Sequence, residues 1–516
     1  MQGRKQFVPK LFTNFQLPER VPEDNFYRHL KEVIDLRWLY KATAKYYGTE
    51  GQVSIDPVVF FRFMMIGYLE NIISDRQIIK TASLRLDMLY FIGYDIDEAL
   101  PWHSTLSRTR QLYGEEVFKK LFKEVLKQCI DKGMVAGKRQ SIDSVLVKAN
   151  ASMDSVIERE ILKDAEQYAD ELKEDDVQQK QQEQKQTETE QKTYLKACGK
   201  EEKKNETKDK DKKSKKLSNE THYSPTDPDA CISTKTNKPV RLNYLGQVSV
   251  DTAHHVITNI EAHHADKRDS ECLVATLIHT TNNLKEAGDL KVEEIICDGN
   301  YSSGETLGYL EQEKITGYIP NPGQYKSERE GFIYHSEGDY YTCSQGAVLT
   351  YKNTYPDRDG YLKKEYRSDV QDCKQCPLRE QCLGKNSRQK KVTDTVDKPL
   401  YDRMYATMQT RRGQRMKKLR QSTVEPVIGT LVTYLGMRKV NTKGIEQANK
   451  CMIMSAVAYN LKKMMKWTNR KIGTCSVVMK KITEESLLKQ IIEAMLQLML
   501  YNKKLNRFSD LNMLPV

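Results

Sequence analysis

The chain has 516 residues, of which 38% are hydrophobic and 30% charged, and a formal net charge of +12. That length leaves room for several domains, and the basic surplus favours a polyanionic partner without identifying one. No run of 18 or more apolar residues is present, which argues against a transmembrane span. The opening Met1-Gln-Gly-Arg-Lys-Gln-Phe has no apolar signal core behind it. The expectation is a protein of a reducing cytosol, whose 11 cysteines are thiols or metal ligands rather than disulfides.

Residues 1–135 read as a helical N-terminal domain. Asp56-Pro57 is an N-cap and first-turn pair opening an apolar run. Ser74-Asp-Arg-Gln77 has the form of a capping box, Gly93 can end the helix that follows, and Ser104 can cap the next. Helical periodicity continues over 115–131. Short helices with tight turns suit either a helix-turn-helix DNA reader or a packing and dimerisation domain. A strand-like run, Ser141-Ile-Asp-Ser-Val-Leu-Val147, comes next.

Composition then changes. Residues 158–190 hold 12 acids and 5 bases (net −7), and residues 191–220 hold 11 bases and 6 acids (net +5). So polar a stretch cannot bury much apolar surface, and 155–220 reads as a solvated helical hairpin or a disordered insert. Order returns with strands over 244–250 and 256–261, a helix over 269–286, a strand over 292–297 ending at Asp298, a helix over 303–312 and a strand over 317–320. Residues 321–400 read as irregular and rich in Tyr, Asp and Cys. Helical character resumes near Leu400, is strongest over 444–467, and returns over 483–502 in a C-terminal segment, 471–516.

With the insert removed, residues 136–154 and 221–320 follow the element order of a ribonuclease-H-like α/β fold, completed by helices over 401–470. Asp143 lies inside the first strand, Asp298 at the end of the fourth, and Glu425 beside a late helix. A carboxylate flanked by Ile142, Val145 and Val147 needs a partner or a metal, and strand ends in α/β sheets are where ligands bind. Each acid alone could simply cap or turn its element. Together they fit phosphodiester chemistry, in which two Mg²⁺ ions held by carboxylate oxygens stabilise the attacking and leaving oxygens.

These residues carry a family resemblance. Asp143-Ser-Val-Leu-Val-Lys-Ala-Asn-Ala-Ser152, then Thr226-Asp-Pro-Asp-Ala230 and Asn243-Tyr-Leu-Gly-Gln247, resemble successive blocks of bacterial insertion-sequence transposases. Asp298-Gly-Asn-Tyr-Ser-Ser303 is similar to the second-aspartate block, and Val424-Glu-Pro-Val-Ile-Gly429 to the glutamate block. Upstream, residues 56–68, 74–79 and Pro101-Trp-His-Ser-Thr-Leu-Ser107 resemble the N-terminal helical domain. The nearest group is insertion-sequence family eleven-eighty-two.

The resemblance implies a DDE-type transposase with Asp143, Asp298 and Glu425 as catalytic metal ligands, using Mg²⁺ or Mn²⁺. It further implies double-stranded DNA as partner, a homodimer on DNA, and a bacterial, nucleoid-associated setting. Many relatives carry Tyr-x2-Arg-x3-Glu-x6-Lys around the glutamate. Here Gln421 and Val432 stand at the Arg and Lys positions, and Arg420 lies one residue further away. A nuclease without strand transfer, or a non-catalytic DNA-binding product of a decayed element, remains the alternative.

Two further clusters stand out. Arg411, Arg412, Arg415, Lys417, Lys418 and Arg420 are six cations in ten residues with no acid, read as phosphate contacts or as a solvated helix face. Cys343, Cys373, Cys376 and Cys382 could complete a structural zinc site or be reduced, unliganded thiols. His254-His255 and His263-His264 are read as surface or packing histidines, because alternation along a strand sends the members of each pair to opposite faces.

Overall fold

The computed structural model describes residues 5, 15–48, 50, 54–159, 217–233, 239–321, 323, 325, 327–357 and 360–467. The charged stretch 160–216, the helix expected over 483–502 and the segment 471–516 lie outside the described residues. Among those described, no helix is long and apolar enough to cross a membrane.

Eight helices open the chain: α1 (Leu17–Arg20), α2 (Phe26–Val33), α3 (Trp38–Thr43), α4 (Pro57–Leu69), α5 (Asp75–Ser83), α6 (Leu86–Ile92), α7 (His103–Leu112) and α8 (Glu115–Asp131). The Asp56 carboxylate accepts from the Val58 and Val59 amides and so caps α4, most of whose residues are buried. Such a helix is apolar all round because its neighbours enclose it. Gly93 ends α6 in the left-handed region (φ 89°), where a side chain is strained. Two cap readings change. Ser74 stands at the N-cap of α5, but its side chain makes no capping bond. The next helix starts at His103 behind Trp102, so Ser104 lies inside it.

The sheet is built from β1 (Arg139–Lys148), β4 (Cys231–Ser233), β5 (Arg241–Asp251), β6 (Ile257–His264), β7 (Glu294–Ile296) and β8 (Thr316–Tyr318). A two-stranded clamp, β2 (Ile157–Glu158) against β3 (His222–Tyr223), closes the base of the charged excursion. Strand order is β5-β1-β7-β8, with β4 and β6 sharing the outer edge of β5. β5 runs antiparallel to β1 and to β6, whereas β1, β7 and β8 are parallel. The parallel crossovers run through α9 (Asp269–Gly288) and α10 (Gly304–Gln312). Those connections cover the sheet, as buried parallel strands require.

Residues 321–400, expected to be irregular, instead contain a five-stranded antiparallel sheet: β9 (Phe332–His335), β10 (Tyr340–Cys343), β11 (Val348–Pro356), β12 (Leu362–Ser368) and β13 (Lys391–Thr395). Its buried core is only Tyr341, Leu349, Tyr366 and Val392. Tyrosines supply the inner face and keep their hydroxyls bonded to Asp394 and Asp339, so the apolar–polar alternation that marks a strand is muted in the sequence. Two short helices, α11 (Val370–Lys374) and α12 (Arg379–Cys382), lie between β12 and β13.

The chain returns to the first sheet through α13 (Lys398–Gln409), α14 (Arg411–Tyr434) and α15 (residues 445–467). Polar side chains fasten α15. Asp227 accepts from the Gly444 amide and Asp229 from the Ile445 amide, both at 2.9 Å, which caps the helix start. Asn449 accepts from the Ala262 amide, and Asn460 both accepts from the Ile257 amide and donates to its carbonyl. Backbone groups of β6 that β5 does not satisfy are thereby paired, which also protects an edge strand. A single hydrophobic cluster runs from the N-terminal helices through the sheet to α15.

Asn460 is fully buried, so its truncation would leave an amide and a carbonyl unpaired, at about 1–3 kcal/mol each. Asn460→Ala should therefore lower the unfolding free energy by roughly 2–5 kcal/mol, read from urea denaturation. A loss below about 1 kcal/mol would show that water replaces the amide.

Candidate active site

Asp143 sits on β1 beside fully buried Ile142, opposite Val248 of β5. Burial pushes its carboxyl above the usual range, opposed by the charge of Arg420 and a hydrogen bond from the Ser144 amide. The Asp298 and Asp269 carboxylates push it further up. The parallel ladder explains the first of these: Arg139 pairs with Glu294 and Ser141 with Ile296. That offset is 155 (294 − 139 and 296 − 141), and 298 − 143 gives the same value. Asp298, just past the end of β7, therefore stands level with Asp143 on the adjoining strand. Both carboxylates also bear on Cys297, whose thiol burial has already pushed well up.

Asp298 caps a short 3₁₀ turn, Gly299–Tyr301, and accepts from the Asn300 amide at 2.7 Å. Glu425 reaches the site from inside α14, not beside it. It is held there through Arg420, whose guanidinium donates to Asp143 Oδ2 at 2.7 Å and to Glu425 Oε1 at 3.0 Å. The Asp143 side chain is 17% exposed against 50% for Glu425, so the bridge reaches from a sheltered carboxylate to a solvated one. Among the described residues no three His, Cys, Asp or Glu side chains converge ready to hold a metal ion. In this site a guanidinium stands between two of the acids.

Two supporting residues were not singled out by sequence. Asp269, at the start of α9, lies within electrostatic reach of Asp143. Gln247 on β5 donates to Asp269 at 3.3 Å and accepts from the buried Tyr301 hydroxyl at 2.5 Å. The sequence signal for Asp269 was masked, because an acid in a first helical turn has an ordinary explanation in the helix dipole. Gln247 lay within one of the family-like blocks, but nothing in the block said what it touched.

The basic run occupies the first turns of α14. Arg411, Arg415, Lys417 and Lys418 are exposed. Arg412 pairs with Glu294 and donates to the Tyr318 hydroxyl, while Arg420 turns inward to the acids. The four cysteines at 343, 373, 376 and 382 line one cavity in the second sheet. His254 packs on Trp467 at 4.4 Å, His279 hydrogen-bonds Glu261 with His263 Nε2 3.3 Å from the same carboxylate, and His264 meets the Asp229 carbonyl. His263 and His264 lie inside β6 rather than beside a strand.

Residues 15–112 match the family model described as a transposase domain (DUF772), and residues 342–465 match the one described as a transposase DDE domain. The domain matches support a DDE-type transposase. The second match contains Glu425, whereas Asp143 and Asp298 fall between the two. No curated protein matches the chain. Among solved structures, the piggyBac transposase synaptic complex with hairpin DNA aligns at a TM-score of 0.27 and 10% identity, over 84% of this chain and 75% of that one. That likeness is too slight to carry an argument.

A carboxyl raised by burial favours the proton-bound folded state, so the stability it contributes is present at low pH and lost as pH rises through the folded pKa. At pH 8 the metal-free protein carries that penalty. Asp143→Asn should therefore raise Tm at pH 8, with a gain that shrinks toward pH 4, followed by differential scanning calorimetry. A variant less stable than wild type at pH 8 would show that the Arg420 pairing outweighs burial.

Proposed function

We propose that the chain is a DDE-type DNA transposase that cuts the ends of its element and joins them to target DNA, with Asp143, Asp298 and Glu425 as ligands of two Mg²⁺ or Mn²⁺ ions. The observation that supports this best is the shared level of Asp143 and Asp298 on adjoining parallel strands, with Glu425 tied to Asp143 through Arg420. A site that already attracts a guanidinium suits a cation, and an all-carboxylate donor set suits a hard one. When bound, the ions would supply charge stabilisation for the attacking and leaving oxygens of phosphodiester exchange.

The strand order and directions support reading the sheet as ribonuclease-H-like. In that frame β1 and the end of β7 fix two ligands on rigid backbone, and α14 brings the third. The sequence blocks favour membership of insertion-sequence family eleven-eighty-two and a homodimer on DNA. In this reading, exposed Arg411, Arg415, Lys417 and Lys418 contact phosphates. Arg420, once released from the carboxylates, becomes a further phosphate partner at the cutting site. The N-terminal helices carry end recognition.

Asp143→Asn, Asp298→Asn and Glu425→Gln should each abolish nicking and strand transfer while leaving end-DNA affinity within about threefold, since the shape is kept and the charge that holds the ions is lost. The assay incubates protein, end DNA, target plasmid and Mg²⁺ and resolves products on a denaturing gel. Cleavage without joined products would leave a nuclease. Wild-type cutting by any of the three would remove that residue from the ligand set.

Arg411, Arg415 and Lys418 should supply affinity without sequence choice, because phosphates look alike at every base pair. Replacing all three by Gln should weaken binding to end and random DNA alike and flatten the log–log salt slope by about 0.9 for each phosphate no longer neutralised. A variant that loses only end DNA, with an unchanged salt slope, would make this helix a sequence reader.

A further inference from the structure

The second sheet carries a stretch with no hydrophobic means of holding its shape. From residue 369 to 391 the chain forms α11, α12 and their turns, yet no side chain in those 23 residues is buried. A five-residue and a four-residue helix cannot persist on their own hydrogen bonds, so something other than a core must fix them. The side chains of this stretch that are least exposed include Cys373, Cys376 and Cys382. All three line a cavity of 540 Å³, and Cys343 at the end of β10 lines it too.

The backbone around these thiols is arranged in tight turns. Cys343 heads a turn in which its carbonyl accepts from the Gly346 amide, with Gly346 at φ 82°. The Cys376 carbonyl accepts from the Arg379 amide, and the Cys382 amide donates to the Leu378 carbonyl. Cations gather on the same groups: Arg379 donates to the Cys373 carbonyl at 3.2 Å and Lys390 to the Cys382 carbonyl at 2.8 Å. Their charge lies on the backbone that carries two of the thiols. It would offset the surplus negative charge of four thiolates on one divalent ion.

We infer that Cys343, Cys373, Cys376 and Cys382 bind one Zn²⁺ as a structural, four-thiolate site that staples α11 and α12 to the second sheet. Soft thiolates in a tetrahedral set select zinc over the hard ions proposed for the carboxylates. The thiols line the cavity walls without meeting at a common point. Binding would require the four thiols to draw together, each sulfur losing its proton to solvent. The inference is independent of the transposase reading, because no part of its test reads DNA cutting.

Full-length protein purified without chelator should contain one zinc per chain by plasma mass spectrometry. Exchange into Co²⁺ should give intense thiolate-to-cobalt charge transfer near the ultraviolet and d–d bands of a tetrahedral sulfur site. Cys373→Ser with Cys376→Ser should lose the metal and the bands. Cys129→Ser, which alters a cysteine buried elsewhere, should keep both. In wild type, zinc should slow alkylation of the four thiols and proteolysis within 369–391. Metal-free wild type with no cobalt charge-transfer band, thiols alkylated at one rate with or without added zinc, a Cys373–Cys376 disulfide, or an iron–sulfur chromophore would each overturn the assignment.

Discussion

A carboxylate in the middle of a buried strand is the constraint around which this fold is arranged. β1 lies between β5 and β7, and Asp143 sits half-buried on it, opposite Val248 of β5 and level with the residues just past the end of β7. Leaving such a charge unpaired costs several kcal/mol. The structure answers with Arg420 of α14, which requires that helix to cross over β1. The same crossing carries Glu425 to the site, because the two residues share the helix and the guanidinium can bond both. Adjacent parallel strands then bring Asp298 level with Asp143 with no further device. One ladder register thus brings Asp143 and Asp298 level, and one guanidinium ties Glu425 to Asp143.

The sequence was most legible where elements are long and their apolar residues regular. β1, β5, β6 and α9 were all anticipated within a few residues, because each has a face or run of Val, Ile and Leu against the core. Asp143 and Asp298 were conspicuous for the same reason, as acids interrupting or ending apolar runs. The second sheet was missed because its core is tyrosine-built and small, and its outer face carries lysines and threonines. The pairing of Arg420 was hidden in another way. Within a ten-residue basic run, composition cannot tell which cation turns inward. Only the helical phase, set by buried Met416, Thr423, Val424 and Val427, puts Arg420 on the sheet side.

Motif blocks proved partly structural. Asp227 and Asp229 accept from the first amides of α15, and Tyr244 donates to Asp227 from β5. A block that reads as part of a catalytic signature therefore fastens a helix to a sheet. Asn449 and Asn460 do the same further along. These polar links matter because a helix held by apolar contact alone could slide, whereas a bond to a particular amide fixes register. The acid site inherits that fixity, since α14 packs on the sheet that α15 closes.

The helix also divides its cations by function. Arg412 is committed to Glu294 and Tyr318 at the sheet edge, Arg420 to the acids, and Arg411, Arg415, Lys417 and Lys418 to solvent. Under the proposed function this division couples two events. One guanidinium cannot pair with two carboxylates and with a phosphate at once. Were Asp143 and Glu425 to hold a cation, Arg420 would be freed for a phosphate, and a phosphate that drew Arg420 away would leave Asp143 short of positive charge. Each event would lower the cost of the other, so metal and DNA binding would reinforce each other. In this structure Arg420 supplies the positive charge that the half-buried Asp143 carboxylate needs.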